Sequence, residues 1–229
     1  MKARLISWRE LAPETRHFDF EMLDVERFGF VPGQFVSIIA TLGEDEITRA
    51  YSIASPPNGN HFGLCLNRVA EGRISPYLFD MRRGDTVDIK GPYGAFHFRN
   101  PVGHSVLVAT GTGVAPFRSM LQAVLPHDDT RQFKLIFGVR HEHGLLYRED
   151  FEELAARHAN FIFVPTLTRP QSAWAGGTGR VQPHVLEAVG DRQDVDVYIC
   201  GLREMVDETR AMLKELGFER KRIIFEKYD

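Results

Sequence analysis

The sequence predicts a two-domain chain, with an antiparallel β-barrel over residues 1–100 followed by an α/β domain with a parallel sheet over residues 105–229. Three observations carry that prediction. Short runs of alternating apolar and polar residues, parted by turn residues, fill the first hundred positions with little helical periodicity. After residue 105 the apolar runs become continuous and alternate with helical patterns, which implies βαβ units. Between the two regions stands Asn100-Pro101-Val102-Gly103-His104, a loop-forming stretch at which the chain changes character.

In the first region, strands are expected over Arg16–Glu21, Gln34–Ile38 and Phe62–Asn67. Pro32-Gly33, Pro56-Pro57-Asn58-Gly59-Asn60 and Arg83-Gly84-Asp85 separate them, and Gly91-Pro92-Tyr93-Gly94-Ala95-Phe96 reads as a further turn. One short helix fits Ser75–Met81. In the second region the expected strands are 105–109, 134–138, 161–164, 195–200 and 222–225, with helices near 116–125, 148–158, 182–189 and 203–216. No repeat and no low-complexity tract is present.

The stretch Gly111-Thr112-Gly113-Val114-Ala115-Pro116 lies between the first of these strands and the first helix. Glycine allows a tight turn and close approach to a ligand, and proline suits the first turn of a helix. A strand, a glycine turn and a helix start together form an anion site suited to a phosphate. An ordinary strand-to-helix connection has the same local pattern, so this motif alone decides nothing.

Composition narrows the function classes. With 28 Lys and Arg against 31 Asp and Glu, the net charge of −3 gives no overall attraction to nucleic acid. No apolar run approaches the roughly 20 residues needed to span a bilayer, and the N-terminus lacks a signal-peptide core, so a cytoplasmic protein is expected. The two cysteines, Cys65 and Cys200, are too few for a four-cysteine iron–sulfur cluster. His141-x-His143 offers two imidazoles but no third ligand at suitable spacing, so no metal is expected.

Four more short motifs accompany the glycine turn. Arg49-Ala50-Tyr51-Ser52 combines a guanidinium fork suited to phosphate with an aromatic ring and a hydroxyl. Glu71-Gly72-Arg73-Ile74-Ser75 leads into the short helix; it is either a phosphate turn or a plain serine cap. Cys200-Gly201 ends one strand, and Glu226-Lys227-Tyr228 follows the last. A buried cysteine is commonly just a small hydrophobe.

Taken in order, Arg49-x-Tyr51-Ser52, Gly72-x-x-Ser75, Gly111-Thr112-Gly113-x-Ala115-Pro116, Cys200-Gly201 and Glu226-x-Tyr228 span nearly the whole chain. In this order the chain resembles the ferredoxin–NADP reductase superfamily, in its form without a fused iron–sulfur domain. The resemblance implies a flavin-binding barrel followed by a nucleotide-binding domain, and an FAD-dependent NAD(P)H oxidoreductase of the ferredoxin–NADP reductase type. It implies hydride exchange between nicotinamide and flavin N5, and single-electron exchange with a ferredoxin, a flavodoxin or an oxygenase component. By similarity, Arg49 pairs with the flavin pyrophosphate, Tyr51 and Ser52 face the isoalloxazine, and Ser52 lies near N5. Gly72 and Ser75 bind FAD phosphate. Gly111, Thr112 and Gly113, with Gly201, receive the dinucleotide. Cys200 and Glu226 lie near the nicotinamide, and Tyr228 covers the flavin and swings aside. The candidate catalytic set is therefore Ser52, Cys200, Glu226 and Tyr228.

The choice of nucleotide rests on Thr168-Arg169, where many relatives hold a 2′-phosphate, with Arg180 nearby. Pro170 and Trp174-x-Gly176-x-x-Gly179 are similar to NADH-using relatives as well, so the resemblance leans to NADPH with tolerance of NADH. Arg82-Arg83 and Arg220-Lys221-Arg222 are solvated faces or a docking surface for an acidic carrier. A monomer is the default for this architecture. Two alternatives share these features: a flavin reductase that releases its flavin, and a non-catalytic FAD subunit of a larger complex.

Overall fold

The computed structural model describes residues 1–228. By its internal contacts the chain divides into two compact units, Met1–His97 with Ala115–Ala123, and Phe98–Val114 with Val124–Asp229.

The first unit is a six-stranded antiparallel sheet built from β1 (Lys2–Ala12), β2 (Thr15–Met22), β3 (Phe35–Leu42), β4 (Asp45–Ser52), β5 (His61–Asn67) and β6 (Thr86–Tyr93). Their order is β4-β3-β6-β1-β2-β5. The two outer strands meet just past β4, where Ile53 bridges Leu64 and the Ala54 N–H donates to the Gly63 carbonyl at 2.8 Å. That contact closes the sheet into a barrel and removes its edges. Alternate residues point inward, so Phe18 and Phe20 of β2, Val36 and Ile38 of β3, and Leu64 of β5 form a buried core with Ile74 and Leu78 of the short helix α1 (Ile74–Asp80).

The Gly91–Phe96 stretch, expected as a turn, is strand as far as Tyr93. Tyr93 pairs with Phe35 and Lys90 with Ser37, so β6 carries one residue more than β3 at this point. Gly91, at φ 131°, and Pro92 are absorbed as a β-bulge, which explains how a glycine–proline pair sits within a strand.

The second unit is a six-stranded parallel sheet made of β7 (Ser105–Thr110), β8 (Phe133–Val139), β9 (Phe161–Leu167), β10 (Gly177–Thr178), β11 (Asp196–Leu202) and β12 (Ile223–Tyr228). The order is β10-β9-β8-β7-β11-β12. Helices α2 (Ala115–Val124), α3 (Arg148–Arg157), α4 (Val181–Val189) and α5 (Arg203–Glu215) connect the strands. Strands β7 and β11 are buried almost throughout, as their unbroken apolar sequences require. Helix α2 falls within residues 105–229, the span expected for the second domain, yet it groups with the first unit. Phe117 packs on Phe96 with ring centroids 5.6 Å apart, and Arg118 and Ser119 donate to the carbonyls of Ala54 and Ser55 at 2.7 and 2.6 Å.

Tyr198 of β11 is fully buried. Its hydroxyl accepts a hydrogen bond from the Arg99 N–H at 3.0 Å, and its ring meets Phe98 edge-on at 5.3 Å. Burial pushes this phenol up to about 12 from 10. In the unfolded chain the phenol ionises near pH 10, while in the fold it stays protonated. The stabilisation is therefore complete below pH 10 and is lost as the pH rises toward 12, up to about 3 kcal/mol. Urea unfolding between pH 9 and 11.5, followed by Trp174 fluorescence in a Trp8→Phe background, is expected to show this loss in the second unit. Tyr198→Phe flattens the dependence. An equal slope in that variant assigns the loss to other groups.

Candidate functional site

The parallel sheet itself marks where a ligand belongs. Strands β7 to β10 progress toward one edge, and the chain then returns to place β11 and β12 on the other side of β7. The order reverses between β7 and β11, and in open α/β sheets a crevice opens at the carboxyl ends of the strands flanking such a reversal. At those ends lie Thr110-Gly111-Thr112-Gly113 and Cys200-Gly201.

The glycines serve two purposes here. Gly113 lies in a 3-10 turn (Gly111–Val114), where a Cβ would run into the Cys200 carbonyl and stand 2.6 Å from Gly201 Cα. Gly201, at φ 142°, would drive its Cβ into the Thr110 hydroxyl and to 2.9 Å from the Thr110 carbonyl oxygen. These two glycines let the turn and the end of β11 close on each other. Gly111 differs: its φ of 54° requires the left-handed region, and a Cβ there would meet nothing within 4 Å. The turn therefore presents an open face above Gly111, a cradle suited to a phosphate group. Thr110, which lies outside the motifs legible in the sequence, fastens the crevice, since its Oγ1 accepts the Leu202 N–H at 3.2 Å. Its position directly before the glycine turn was the available signal.

Cys200 and Glu226 are register partners on β11 and β12, and Leu202 pairs with Tyr228. The Cys200 thiol is fully buried. Burial pushes its pKa well up, the Glu226 carboxylate adds to that, and a hydrogen bond from Tyr228 opposes it. Cys200 therefore stays a neutral thiol, which suits contact with an uncharged ring better than nucleophilic chemistry. The fold brings Gly111, Thr112, Gly113, Cys200, Gly201, Glu226 and Tyr228 to the carboxyl edge of one sheet.

Thr168 and Arg169 stand at the same edge, just past β9. Their backbone is fixed by N–H groups donating to the carbonyls of Val139 and Arg140 at 3.0 and 2.8 Å. The Arg169 guanidinium is exposed and has no hydrogen-bond or ion-pair partner among the described residues. Arg180, by contrast, is paired with Glu208 at 2.9 Å. His141 and His143 lie in the turn after β8, with rings stacked at 5.5 Å.

In the first unit, Arg49 and Tyr51 share one face of β4 as residues two apart, and Ser52 lies on the other. Arg49 is exposed and, among the described residues, its guanidinium has no partner. Tyr51 is half-buried against the core, and burial pushes its phenol up to about 12. Ser52 is buried opposite Phe35. The Gly72–Ser75 stretch is a closed turn: the Gly72 N–H donates to the Val69 carbonyl at 2.8 Å, and Ser75 Oγ accepts the Val69 N–H at 2.9 Å. Ser75 is thus the second residue of α1 and not its cap, and its hydroxyl is already engaged by the protein. An exposed unpaired arginine beside a half-buried tyrosine ring fits a ligand combining a pyrophosphate with a planar ring system. The donors of both units fit FAD and a nicotinamide dinucleotide.

Comparison with known proteins agrees. Residues 2–98 match the oxidoreductase FAD-binding domain family, and residues 107–211 match the oxidoreductase NAD-binding domain family. The chain is 40% identical over 239 aligned positions to ferredoxin–NADP reductase B of Sorangium cellulosum, covering 100% of this chain and 97% of that protein. It is 29% identical to the toluate 1,2-dioxygenase electron transfer component of Pseudomonas putida, covering 99% of this chain and 67% of the relative. Among solved structures, the Amycolatopsis cytochrome P450 reductase GcoB superimposes with a TM-score of 0.89 at 28% identity, over 99% of this chain and 69% of that one. No helix among the described residues is long and apolar enough to cross a membrane. The chain thus belongs to the ferredoxin–NADP reductase family, as an FAD-dependent NAD(P)H oxidoreductase.

Proposed function

We propose that this reductase uses NADPH in preference to NADH and passes electrons singly to a ferredoxin- or flavodoxin-like carrier or an oxygenase component, acting as a cytoplasmic monomer. The observation that carries the nucleotide reading is the unpartnered Arg169 guanidinium beside Thr168 at the carboxyl edge of the parallel sheet. A planar, permanently charged fork suits a phosphate on the adenosine ribose. The relatives support the carrier reading, because two of them are named as a ferredoxin–NADP reductase and a dioxygenase electron transfer component.

FAD, when bound, would supply the redox chemistry: one hydride, an electron pair, taken up from nicotinamide and given back as single electrons. The chain's own contribution is positioning. Arg49 holds the flavin pyrophosphate, Tyr51 lies along the ring, and Ser52 offers its hydroxyl near N5. The turn from Gly72 to Ser75, braced through Val69 by the Gly72 N–H and the Ser75 hydroxyl, presents the N–H groups at the start of α1 to a phosphate. Gly111, Thr112, Gly113 and Gly201 seat the dinucleotide. Cys200 and Glu226 line the nicotinamide position, and Tyr228 covers the flavin until nicotinamide arrives. For the carrier, Arg82 and Arg83 are the better docking residues, since both are exposed. In the other basic run, Lys221 is paired with Glu219 at 2.7 Å and Arg222 with Asp196 at 3.0 Å, which neutralises much of it.

The test is an anaerobic titration of the purified yellow protein with NADPH and, separately, NADH. Bleaching of a stoichiometric bound flavin near one equivalent, with the higher kcat/KM for NADPH, is expected. A colourless protein that reduces added flavin would identify a flavin reductase. A bound flavin that neither nucleotide bleaches would identify a subunit fed from elsewhere.

A further inference from the structure

Two arginines emerge at the carboxyl edge of the parallel sheet, Arg169 just past β9 and Arg180 just past β10, and their surroundings are opposite. Strand β10 pairs with β9 through Gly177 with Thr166 and Thr178 with Leu167. The pairing continues past the strands, for the Gly179 N–H donates to the Leu167 carbonyl at 2.9 Å and Thr166 Oγ1 donates to the Gly179 carbonyl at 3.1 Å. Arg169 follows the end of β9, and Arg180 follows the end of β10, the strand paired with it. Both are exposed and both emerge at the carboxyl edge.

Only Arg180 is engaged. Its Nη1 lies 2.9 and 3.1 Å from the two carboxylate oxygens of Glu208, and 3.6 Å from Glu204 Oε1. Gln182 Nε2 donates to Glu208 Oε2 at 2.9 Å and steadies the acceptor. Glu204 and Glu208 are four residues apart on α5, so they present one acidic stripe beside the start of α4. The side chain of Arg169 meets no acidic residue among the described residues.

We infer that Glu208, with Glu204, withholds Arg180 from a nucleotide 2′-phosphate, leaving Arg169 as the arginine that reads it, so that this acidic stripe limits the preference for NADPH over NADH. The inference rests on the proposed use of both nucleotides. Its logic is competitive. To reach the phosphate, Arg180 must leave two carboxylates, and the phosphate must approach the same two charges. Attraction to one arginine is thereby set against repulsion from the stripe, a device that lowers affinity for the charged ligand and leaves the uncharged ribose alone. Because the pair is exposed and screened by water, its grip is modest, and releasing it changes affinity by about tenfold at most.

The experiment is equilibrium titration of the FAD-loaded enzyme with NADP⁺ and with NAD⁺, followed by flavin difference absorbance at low ionic strength. Glu204→Gln/Glu208→Gln is expected to tighten NADP⁺ by about tenfold and to move NAD⁺ by less than about twofold. Arg180→Ala in the otherwise unaltered chain is expected to move NADP⁺ by less than about twofold, while Arg169→Ala weakens it by about tenfold or more. Adding Arg180→Ala to the double glutamine variant removes most of that gain and leaves only the part due to the lost repulsion. The inference is overturned if the glutamine variant leaves the NADP⁺/NAD⁺ ratio unchanged, as a purely structural tie between α4 and α5 would. A gain that persists undiminished without Arg180 overturns it too, as does a large loss from Arg180→Ala alone. Failure of the unaltered enzyme to bind either nucleotide would instead refute the reading on which the inference depends.

Discussion

Replacing Gly113 with alanine is expected to lower kcat/KM for NADPH about a hundredfold and to destabilise the second unit by about 3 kcal/mol. The reason is steric. The added methyl lands on the Cys200 carbonyl and 2.6 Å from Gly201 Cα, both backbone atoms of a buried strand that cannot rotate away. The turn must therefore lift off the end of β11, and the dinucleotide cradle moves with it. Gly111→Asn provides the contrast, because asparagine tolerates the left-handed backbone and the space around Gly111 is open. That variant is expected to cost less than about 1 kcal/mol in stability. Denaturant unfolding read by Trp174 fluorescence in a Trp8→Phe background checks the stabilities, and steady-state kinetics with ferricyanide checks turnover. Equal destabilisation by the two variants would show that backbone conformation, not close packing against Cys200, is what the turn requires.

Ser52→Ala is expected to slow flavin reduction by NADPH about tenfold to a hundredfold while the protein stays yellow. Ser52 is 6% exposed, at the last position of β4, and pairs in register with Phe35. It therefore sits on a rigid strand, next to the half-buried Tyr51 and three residues beyond the exposed, unpartnered Arg49. A hydroxyl on such a strand donates its hydrogen bond with little reorganisation, so its removal acts on the transition state more than on binding. Stopped-flow anaerobic mixing separates the two: the limiting reduction rate falls while FAD remains bound through gel filtration. An unchanged limiting rate would remove Ser52 from the reacting position. Loss of FAD without a change in the residual rate would make it a binding residue.

Much of the architecture was legible from local pattern. The continuous apolar runs at 105–109 and 195–200 correspond to β7 and β11, and the helices at 116–125 and 203–216 to α2 and α5, each within a residue or two at its ends. Such runs are legible because burial on both faces demands an unbroken apolar strand and helices show their own period. Strand β1 was harder to read. Register shifts between Leu5 and Ser7, and between Glu10 and Ala12, break the period of two that identifies a strand. The bulge at Gly91-Pro92 hid the end of β6 for the same reason, since residues with turn chemistry were held in place by pairing with β3.

The sequence by itself determined the element types, the glycine turn and the order of the short motifs, because these depend on residues close together in the chain. Only the tertiary structure decided how those residues are partnered. Gly113 and Gly201 are 88 residues apart in numbering, yet Gly113 is small because the Cys200–Gly201 backbone lies against it, and Gly201 is small because Thr110 does. Arg169 and Arg180 look equivalent in sequence, and α5, more than 20 residues further on, supplies the carboxylates that engage one and leave the other exposed. Whether a charge is available to a ligand depends on which opposite charges the fold brings within about 4 Å of it, and that distance is a property of the folded chain.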